Sequence, residues 1–495
     1  MLKRVLVANR GEIACRVLRA CKESGIESVA IHASNDAGSL FTEYADIVVE
    51  LQGDGISETY LNQQQILDIA VEVGADSIHP GFGFLSERAD FAQAVIDAGL
   101  IWIGPSPDAI SCMGDKITAR KTMREAGVLV IPGEEIEGGV TEIVSAAERV
   151  GYPLLLKATA GGGGKGMRAV TSAEYLEEEA ISAMREAANA FGDERIYVER
   201  LLTNSRHIEI QILADSHGRT IHLGERECSI QRRHQKVFEE SPSVALDSGL
   251  REAMGNAAVA AAQAVDYVGA GTVEFLLSPQ DEFFFLEMNT RIQVEHPVTE
   301  MVTGVDIVKE QLRIAAGEPM SCKEVTINGH AIEVRLYAED PANNFLPAIG
   351  KLVTFKIPDG PDIRLDTGVQ EGDEITPDYD PMMAKLIVWA PSREEALEKM
   401  TKALDDFVVL GCVTNIRFLR ELCNHSDVID GWTTTDLIDR LWPNGWKPDI
   451  PDQVMNAALL LASAAEQSGL AKKTAVNTDN GESPSPFATI NRRFP

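Results

Sequence analysis

The first hundred residues alternate short apolar runs with segments of helical spacing. The runs from Arg4 to Asn9 and from Ser28 to His32 flank a segment in which Ile13, Val17 and Cys21 recur every three or four positions. Strands that alternate with helices in this way form parallel sheets with helices on both faces. The sequence therefore predicts that the chain begins with a doubly wound α/β domain.

A glycine run marks the next part of the chain. Gly161 to Gly164 follow the predicted strand Leu154 to Ala158 and precede a second predicted strand, Met167 to Val170. Dinucleotide-binding and phosphate-binding loops of the usual kinds open a helix, and here no helix follows. Backbone amides of a glycine-rich hairpin tip, with Lys165 beside them, can fold over phosphates. We therefore expect a flexible lid over a phosphate group.

Polar residues alternate along a predicted strand that runs from Phe283 to Glu295. Side chains on a strand point alternately to its two faces, which places one polar set on one side. That set combines carboxylates, amides and a guanidinium: Glu287, Asn289, Arg291, Gln293 and Glu295. Magnesium takes hard oxygen ligands, commonly one or two carboxylates plus substrate phosphates, a role that Glu274 and Glu287 can share. The pattern favours a cleft for a magnesium nucleotide and an anion over a solvated sheet face.

Two further predicted strands and a basic patch complete the candidate site. One strand carries His207, Glu209 and Gln211 on one face, and another carries Glu333, Arg335 and Tyr337. The patch Gln231-Arg232-Arg233-His234-Gln235-Lys236 lies between them in the chain. Screening acts over about 8 Å at physiological salt, so such a local patch outweighs distant charge. We expect it to hold an anionic substrate.

Net charge and cysteine usage exclude several classes of protein. The chain has 45 Lys+Arg against 76 Asp+Glu, a formal net charge of −31, which disfavours binding to nucleic acids or anionic membranes. A salt-rich cytoplasm would also explain the charge, but ordinary acidic proteins are commoner. The seven cysteines are dispersed and form no Cys-x-x-Cys, and no histidine pair has zinc-ligand spacing. We expect a cytoplasmic protein.

With these residues assembled, the sequence closely resembles the biotin carboxylase component of biotin-dependent carboxylases, in the ATP-grasp superfamily. The likeness extends to about Trp446 and is carried by the following segments: Val7 to Ala14, His79 to Glu87, Met113 to Lys116, Lys157 to Met167, Glu225 to Lys236, and Glu287 to Glu300. In that family, ATP and bicarbonate form carboxyphosphate, whose carbon dioxide carboxylates N1 of biotin on a carrier protein. The resemblance implies the same ligase activity here.

The resemblance also implies roles for individual residues. Contacts to ATP would come from Lys116, Lys157, Gly163, Gly164, Lys165, Gly166, Glu199, Arg200, Leu202, His207, Gln231 and His234. Magnesium or manganese would be bound by Glu274, Glu287 and Asn289. Bicarbonate would be held by Lys236, Arg291, Gln293 and Val294, with Glu295 as general base and Arg335 stabilising the biotin enolate. The sequence departs mildly from the family pattern at three positions. It has Phe82 where many relatives have tyrosine, Lys165 where many have arginine, and Arg200 where lysine is frequent. Lysine cannot reproduce a bidentate guanidinium, which affects phosphate affinity at the lid.

The family comparison predicts three domains and separate partner chains. We expect a doubly wound N-terminal domain (1–112), an ATP-grasp domain (113–330) with its lid at about 131–203, a mixed β-rich domain (331–446), and a helix plus mobile tail (447–495). No Ala-Met-Lys-Met biotin-attachment sequence is present. A biotin carboxyl carrier protein and a carboxyltransferase are therefore expected on other chains. A homodimer is implied by resemblance, and the acceptor, whether acetyl-CoA, propionyl-CoA or pyruvate, is not written in the sequence.

Two other functions would fit parts of the same pattern of residues. Another ATP-grasp ligase is disfavoured because the bicarbonate and biotin positions Lys236, Arg291, Glu295 and Arg335 are all present. A regulatory subunit without turnover would be free to lose Glu274, Glu287 or Glu295, and none is lost.

Overall fold

The computed structural model describes residues 2–449, apart from 137, 159–166, 192–193, 234 and 323–324, together with residues 460 and 463. The chain divides into a compact unit, Met1–Gly445, and a second unit, Trp446–Pro495. The predicted C-terminal helix and tail fall almost entirely outside the described residues. No helix in the described part is long and apolar enough to cross a membrane.

A five-stranded parallel sheet opens the first unit, in the order β3-β2-β1-β4-β5. Val5 and Val7 pack against the helix that follows the first strand, while Leu6 packs in a second core on the opposite face. This arrangement confirms the predicted doubly wound domain. The strands are β1 (Arg4–Val7), β2 (Glu27–His32), β3 (Ile47–Glu50), β4 (Ser77–His79) and β5 (Ile101–Trp102). The helices are α1 (Gly11–Glu23), α2 (Gly55–Glu58), α3 (Gln63–Glu72), α4 (Ala89–Asp97), α5 (Pro107–Gly114) and α6 (Lys116–Glu125).

A four-stranded antiparallel sheet follows, in the order β6-β9-β7-β8. Its strands are β6 (Gly133–Ile136), β7 (Leu154–Ala158), β8 (Met167–Val170) and β9 (Ile196–Arg200), and it packs against α7 (Val140–Val150) and α8 (Ala173–Phe191). As predicted, β7 and β8 form a hairpin, in which Lys157 lies opposite Met167. The glycine-rich tip of that hairpin lies outside the described residues.

An eight-stranded antiparallel sheet is the largest element, in the order β14-β13-β10-β11-β12-β15-β22-β20. It runs without interruption across the predicted boundary between the second and third domains. Its strands are β10 (Arg206–Ala214), β11 (Thr220–Arg232), β12 (Gln235–Ser241), β13 (Gly269–Leu277), β14 (Phe283–Asn289), β15 (His330–Tyr337), β20 (Ile363–Thr367) and β22 (Met382–Ala390). Short strands pair beside it: β16 (Glu339–Asp340) with β17 (Leu346–Pro347), β18 (Gly350–Lys351) with β21 (Glu374–Ile375), and β19 (Thr354–Lys356) with β23 (Val408–Leu410). The remaining helices are α9 (Ser248–Gln263), α10 (His296–Thr303), α11 (Ile307–Ala315), α12 (Arg393–Asp406), α13 (Ile416–Cys423), α14 (Ser426–Ile429) and α15 (Leu437–Leu441).

Strand alternation gives this sheet one apolar and one polar face. Ile208, Ile210 and Ile212 of β10 lie in a core with residues of α5, α6 and α9. Their neighbours His207 and Glu209 must therefore point to the other face, as the sequence predicts. Polar groups buried on that face require partners, because unpaired buried charge is costly.

The predicted strand from Phe283 to Glu295 is shorter than expected. β14 ends at Asn289, and α10 begins at His296 with Pro297 in its first turn. β14 is an edge strand, so the chain is free to leave the sheet there, and Pro297 has a fixed φ that suits a helix start. Arg291, Gln293 and Glu295 therefore lie in the segment between strand and helix, not on one strand face.

Candidate functional site

A cavity of about 580 Å³ lies over the polar face of the large sheet. It brings together residues from β7, β10, β11, β12, β13, β14, β15 and the segment that precedes α10. Thirteen residues predicted from the sequence line it: Lys116, Lys157, His207, Gln231, Lys236, Glu274, Glu287, Asn289, Arg291, Gln293, Val294, Glu295 and Arg335.

One row of charged residues crosses four adjacent strands on this face. Strand register places Glu287 opposite Glu274, Glu274 opposite Glu209, and Glu209 opposite Arg226. Glu209 and Arg226 are fully buried, whereas Glu287 is exposed at the end of the row. Directly opposed side chains in a sheet interact over short distances, so three carboxylates in a row need compensating positive charge.

Arg226 supplies part of that charge from beneath the cavity. Its guanidinium donates to Glu209 and, at 2.7–3.1 Å, to the other side chains that surround it, namely Gln211, Thr272, Gln293 and Thr299. Arg226 thereby links β10, β11, β13, the loop before α10 and α10 itself. Because Gln293 is one of its partners, this buried arginine fixes the position of a predicted bicarbonate ligand.

Lys236 supplies the rest. Its ammonium donates to Oε2 of Glu209 at 2.6 Å, to Oε1 of Glu274 at 2.9 Å and to Oε1 of Glu295 at 2.6 Å. Burial acts to lower the pKa of Lys236, but the three carboxylates outweigh it and hold that pKa well above its usual range. Lys236 is therefore a permanent cation at the centre of the site.

Glu295 lies between two cations. Its Oε1 accepts from Lys236, and its Oε2 accepts from Nη2 of Arg335 at 2.9 Å. Burial acts to raise the pKa of Glu295, but Lys236, Arg335 and then Arg226 hold it well below the ordinary value. Nε of Arg335 donates in turn to Oε1 of Glu239 at 2.6 Å. An ionised carboxylate is thus fixed at the wall of the cavity, with Arg335 bound on both sides.

Glu274 and Glu287 form the pair of oxygen ligands that suits a magnesium ion. The Glu274 carboxylate opposite it raises the pKa of Glu287, and a cation between the two would relieve their repulsion. Oε1 of Glu274 already accepts from Asn289 at 2.9 Å and from Gln293 at 2.8 Å, and Oε2 lies 3.0 Å from Nε2 of His207. Ligand atoms of His207, Glu209 and Glu274 all lie within 4.8 Å of one another. That group does not include Glu287, so the fit to a hard divalent cation rests on the opposed carboxylates of Glu274 and Glu287.

Arg291 extends the site toward the N-terminal domain. Its Nε donates to Oε2 of Glu87 at 3.0 Å, and its Nη2 donates to Oδ1 of Asn289 at 3.0 Å. Glu87 follows the turn after β4, so this ion pair connects the first sheet to the bicarbonate positions. Sequence reasoning gave no role to Glu87, although it ends a segment of the family resemblance.

The predicted nucleotide residues are only partly brought together. Lys157 lines the cavity and forms an ion pair with Glu199, which also pairs with Arg120. Glu199, Arg200 and Leu202 do not line the cavity. Gly163, Gly164, Lys165, Gly166 and His234 lie outside the described residues.

Several residues that shape the site were not predicted. Arg120 and Tyr197 line the cavity, with Nη1 of Arg120 donating to the Tyr197 hydroxyl at 2.7 Å. Arg226 and Glu239 pair with predicted residues from positions that no strand pattern in one sequence singles out. Arg226 lies in a matched segment, so its signal was the family likeness and not its chemistry. Arg233 and Gln235 of the predicted basic patch also line the cavity, and the other unpredicted lining residues are Ile117, Ala158, Met167 and Leu286.

Comparison with known proteins places this site in a family. Three family descriptions match along the chain: "Biotin carboxylase, N-terminal domain" at residues 1–110, "Carbamoyl-phosphate synthase L chain, ATP binding domain" at 115–323, and "Biotin carboxylase C-terminal domain" at 333–440. Biotin carboxylase 1 of Bacillus subtilis is 48% identical over 443 residues, which cover 89% of this chain and 98% of the relative. The chain belongs to the biotin carboxylase family. The family, fold class and enzyme class predicted from the sequence are thereby confirmed.

The chain is also similar to other carboxylase chains and to solved biotin carboxylase structures. The propionyl-CoA carboxylase alpha chain of Ruegeria pomeroyi is 45% identical over 508 residues, which cover 97% of this chain and 75% of the relative. The biotin carboxylase domain dimer of Hydrogenobacter thermophilus 2-oxoglutarate carboxylase, solved with MgADP, ADP and bicarbonate, matches with a TM-score of 0.85 and 46% identity. That match covers 90% of this chain and 98% of the solved chain.

The depressed pKa of Glu295 leads to a prediction about stability. A carboxyl whose pKa is lowered by folding stabilises the protein above its unfolded pKa, about 4.3, and loses that contribution as the pH falls toward the folded pKa. Glu295→Gln should cost about 3–5 kcal/mol of unfolding free energy at pH 7, because two buried cations lose a partner. Urea unfolding measured from pH 3 to 8 should show that the difference in unfolding free energy between wild type and Glu295→Gln becomes smaller below about pH 4.3.

A matched control is Glu282→Gln, on the exposed turn between β13 and β14. This variant should follow wild type at every pH. A gap for Glu295→Gln that stays constant or widens on acidification would contradict the assigned charge state.

Proposed function

We propose that this chain is a biotin carboxylase that uses ATP and bicarbonate to carboxylate N1 of biotin carried by a separate protein. The observation that carries the proposal is the position of Glu295, an ionised carboxylate held between Lys236 and Arg335 in a cavity that also contains the Glu274–Glu287 pair. A base, an anion site and a metal site thus share one wall. This is the set of groups that bicarbonate phosphorylation by a magnesium nucleotide requires.

At the nucleotide end, the protein positions phosphates by charge. Lys116 of α6 and Lys157 of the four-stranded sheet line the cavity, as do His207 of β10 and Gln231 of β11. Glu274 and Glu287, with Asn289 beside them, would hold magnesium, which neutralises charge that develops on the phosphates. Phosphoryl transfer depends chiefly on such positioning and electrostatic stabilisation.

At the bicarbonate end, binding and base activation are coupled. Glu295 is a weak base while both its oxygens accept from cations, because its pKa is low. A bicarbonate bound by Lys236 and Arg291 competes for the Lys236 ammonium. Losing part of that ion pair raises the pKa of Glu295, so the base becomes effective when its substrate is present. Glu295 then takes the bicarbonate proton as a bicarbonate oxygen attacks the terminal phosphorus of ATP. The bond from that phosphorus to ADP breaks, and carboxyphosphate and ADP are formed.

Arg335 serves the second step. Protonation of Glu295 removes the charge that held Nη2 of Arg335, so the guanidinium is released on that side. It can then face the ureido oxygen of biotin, where negative charge develops as N1 gives its proton to the phosphate released from carboxyphosphate. N1 then attacks the carbon dioxide released with that phosphate. The same proton transfer that completes the first step therefore frees the group needed for the second.

The predicted partners and location form part of the proposal. A biotin carboxyl carrier protein and a carboxyltransferase would be separate chains, and the transferase would select the acceptor. We further propose a homodimer, three domains with boundaries near 112, 330 and 446, and a cytoplasmic location. All seven cysteines are free, which suits a reducing compartment.

The activity predicts a specific dependence on substrates. Magnesium-dependent ATP hydrolysis should be nearly absent with ATP alone and should rise when bicarbonate and biotin are both added. Glu287→Gln should lower this rate by on the order of 10²–10³, because a charged metal ligand becomes neutral. Glu282→Gln, on the turn of the same hairpin, should match wild type. ADP release with each substrate omitted in turn is the measurement, and an equal rate without bicarbonate would exclude the proposal.

The two steps can be separated by two variants. Arg335→Ala should retain bicarbonate-dependent ATP cleavage but lose on the order of 10²–10³ in carboxybiotin formation, since the lost cation stabilises charge on biotin and Glu295 keeps Lys236 as a partner. Glu295→Ala should lose both activities, since the base acts first. ADP and carboxybiotin are measured in parallel. Cleavage that survives in Glu295→Ala, or equal loss of both activities in Arg335→Ala with ATP still bound, would contradict these roles.

A further inference from the structure

Two buried carboxyls face each other beneath Arg335. The register of β12 with β15 places Glu239 directly opposite Glu333, and Arg335 lies two residues along on the same face of β15. Glu239 and Glu333 are both fully buried. Opposed side chains on antiparallel strands have Cβ atoms about 4.5–5.5 Å apart, which brings the two carboxyl groups within reach of each other. Besides burial, the charge of Glu239 accordingly acts to raise the pKa of Glu333.

Most of their oxygens have no hydrogen-bond donor. Oε1 of Glu239 accepts from Arg335, but Oε2 of Glu239 and both oxygens of Glu333 have no hydrogen-bond partner among the residues that the structure describes. A buried carboxylate without donors is strongly disfavoured, and each such group in a native protein requires an explanation. A single proton shared by the pair gives one: Glu333 donates its hydroxyl to the vacant oxygen of Glu239.

The surrounding charges agree with this assignment. Lys385 lies opposite Arg335 on β22, but its ammonium is directed to the Val294 carbonyl at 2.7 Å and to Glu12 at 3.2 Å. Arg335 is shared between Glu239 and Glu295. Burial raises the pKa of Glu333 well above its usual value despite Lys385 and Arg335, and raises the pKa of Glu239 less because Arg335 contacts it directly. Because Glu239 accepts a hydrogen bond from Arg335 and Glu333 has no donor among the described residues, Glu333 is the one that keeps the proton.

We propose that Glu239 and Glu333 form a carboxyl pair holding one proton, on Glu333, and that the charge left on Glu239 positions Arg335 for the biotin step. The proposal rests on the proposed function and adds a positioning residue to it. Glu239 holds Nε of Arg335 whether or not Glu295 holds Nη2. When Glu295 is protonated and its ion pair with Nη2 of Arg335 is lost, Nε of Arg335 stays bound to Glu239, and Nη2 can face biotin. Without Glu239, the same release would leave the guanidinium unheld.

Amide substitutions separate the two members of the pair. Glu239→Gln removes the charge that anchors Arg335, and it should lower carboxybiotin formed per ADP by about 10- to 100-fold, the range for a charge-assisted hydrogen bond. Its bicarbonate-dependent ATP cleavage should stay within a few-fold of wild type. Glu333→Gln replaces one neutral donor by another, and it should lower the ratio by less than about three-fold.

Glu240→Gln is the matched control on the same strand. Glu240 is equally buried, and it pairs with His330 at 2.8 Å and Arg393 at 2.6 Å, away from Arg335. Burial acts to raise the pKa of Glu240, but His330 and Arg393 bring it down to about 2. The variant therefore reports the general effect of removing a buried carboxylate from β12. Its carboxybiotin per ADP should match wild type.

Infrared spectroscopy tests the proton without relying on activity. At neutral pH, the difference spectrum of wild type minus Glu333→Gln should contain the C=O stretch of a protonated carboxyl. Wild type minus Glu240→Gln should contain only ionised carboxylate bands.

Three results would overturn the proposal: no protonated band lost in Glu333→Gln, an unchanged product ratio in Glu239→Gln, or equal loss of carboxybiotin in Glu333→Gln and Glu239→Gln. If wild type itself makes no carboxybiotin, the proposed function fails, and the infrared result still decides whether the pair holds a proton.

Discussion

The Lys236 ammonium, in contact with Glu209, Glu274 and Glu295, is the interaction on which the rest of the site depends. Buried ion pairs contribute little net stability compared with apolar residues of the same size, but removing one partner is costly. A gain in stability therefore does not explain this cluster, whereas buried charges with shifted pKa values are typical of functional sites. The positive charge of Lys236 holds Glu295 ionised, and in the proposed mechanism it also attracts bicarbonate, so that substrate binding alters the basicity of Glu295.

The eight-stranded sheet makes this arrangement possible. Three isoleucines of β10 face the core with α5, α6 and α9, and the alternate positions must then carry the polar set. Cross-strand register aligns Glu287, Glu274, Glu209 and Arg226 in one row, while β12 and β15 add Lys236, Glu239 and Arg335 from the other half of the sheet. The residues proposed to bind metal and to serve the biotin step are thus fixed to one continuous sheet, and the strand register sets their spacing.

Local patterns in the sequence predicted a large part of this. The βαβ alternation predicted the first sheet, and the alternation His207, Glu209, Gln211 predicted the polar face of β10. The prediction of a strand through Glu295 was wrong, because polar and apolar residues go on alternating after Asn289, where β14 ends and the chain leaves the sheet. The partners of predicted residues could not be read, since Arg335 meets Glu239 from 96 positions away and Lys236 meets Glu295 from 59. Only three-dimensional packing decides which charges meet.

We propose that this cavity activates bicarbonate, and not water, toward the terminal phosphate of ATP. If so, the bicarbonate oxygen that attacks phosphorus stays with the phosphate when carboxyphosphate releases carbon dioxide. The direct measurement is mass spectrometry of the phosphate formed by wild type, with biotin and magnesium, from bicarbonate labelled with a heavy oxygen isotope. Reaction times must be short compared with exchange of label into water. If bicarbonate attacks the terminal phosphorus, each phosphate should carry one labelled oxygen. Phosphate whose new oxygen comes from solvent would contradict bicarbonate activation.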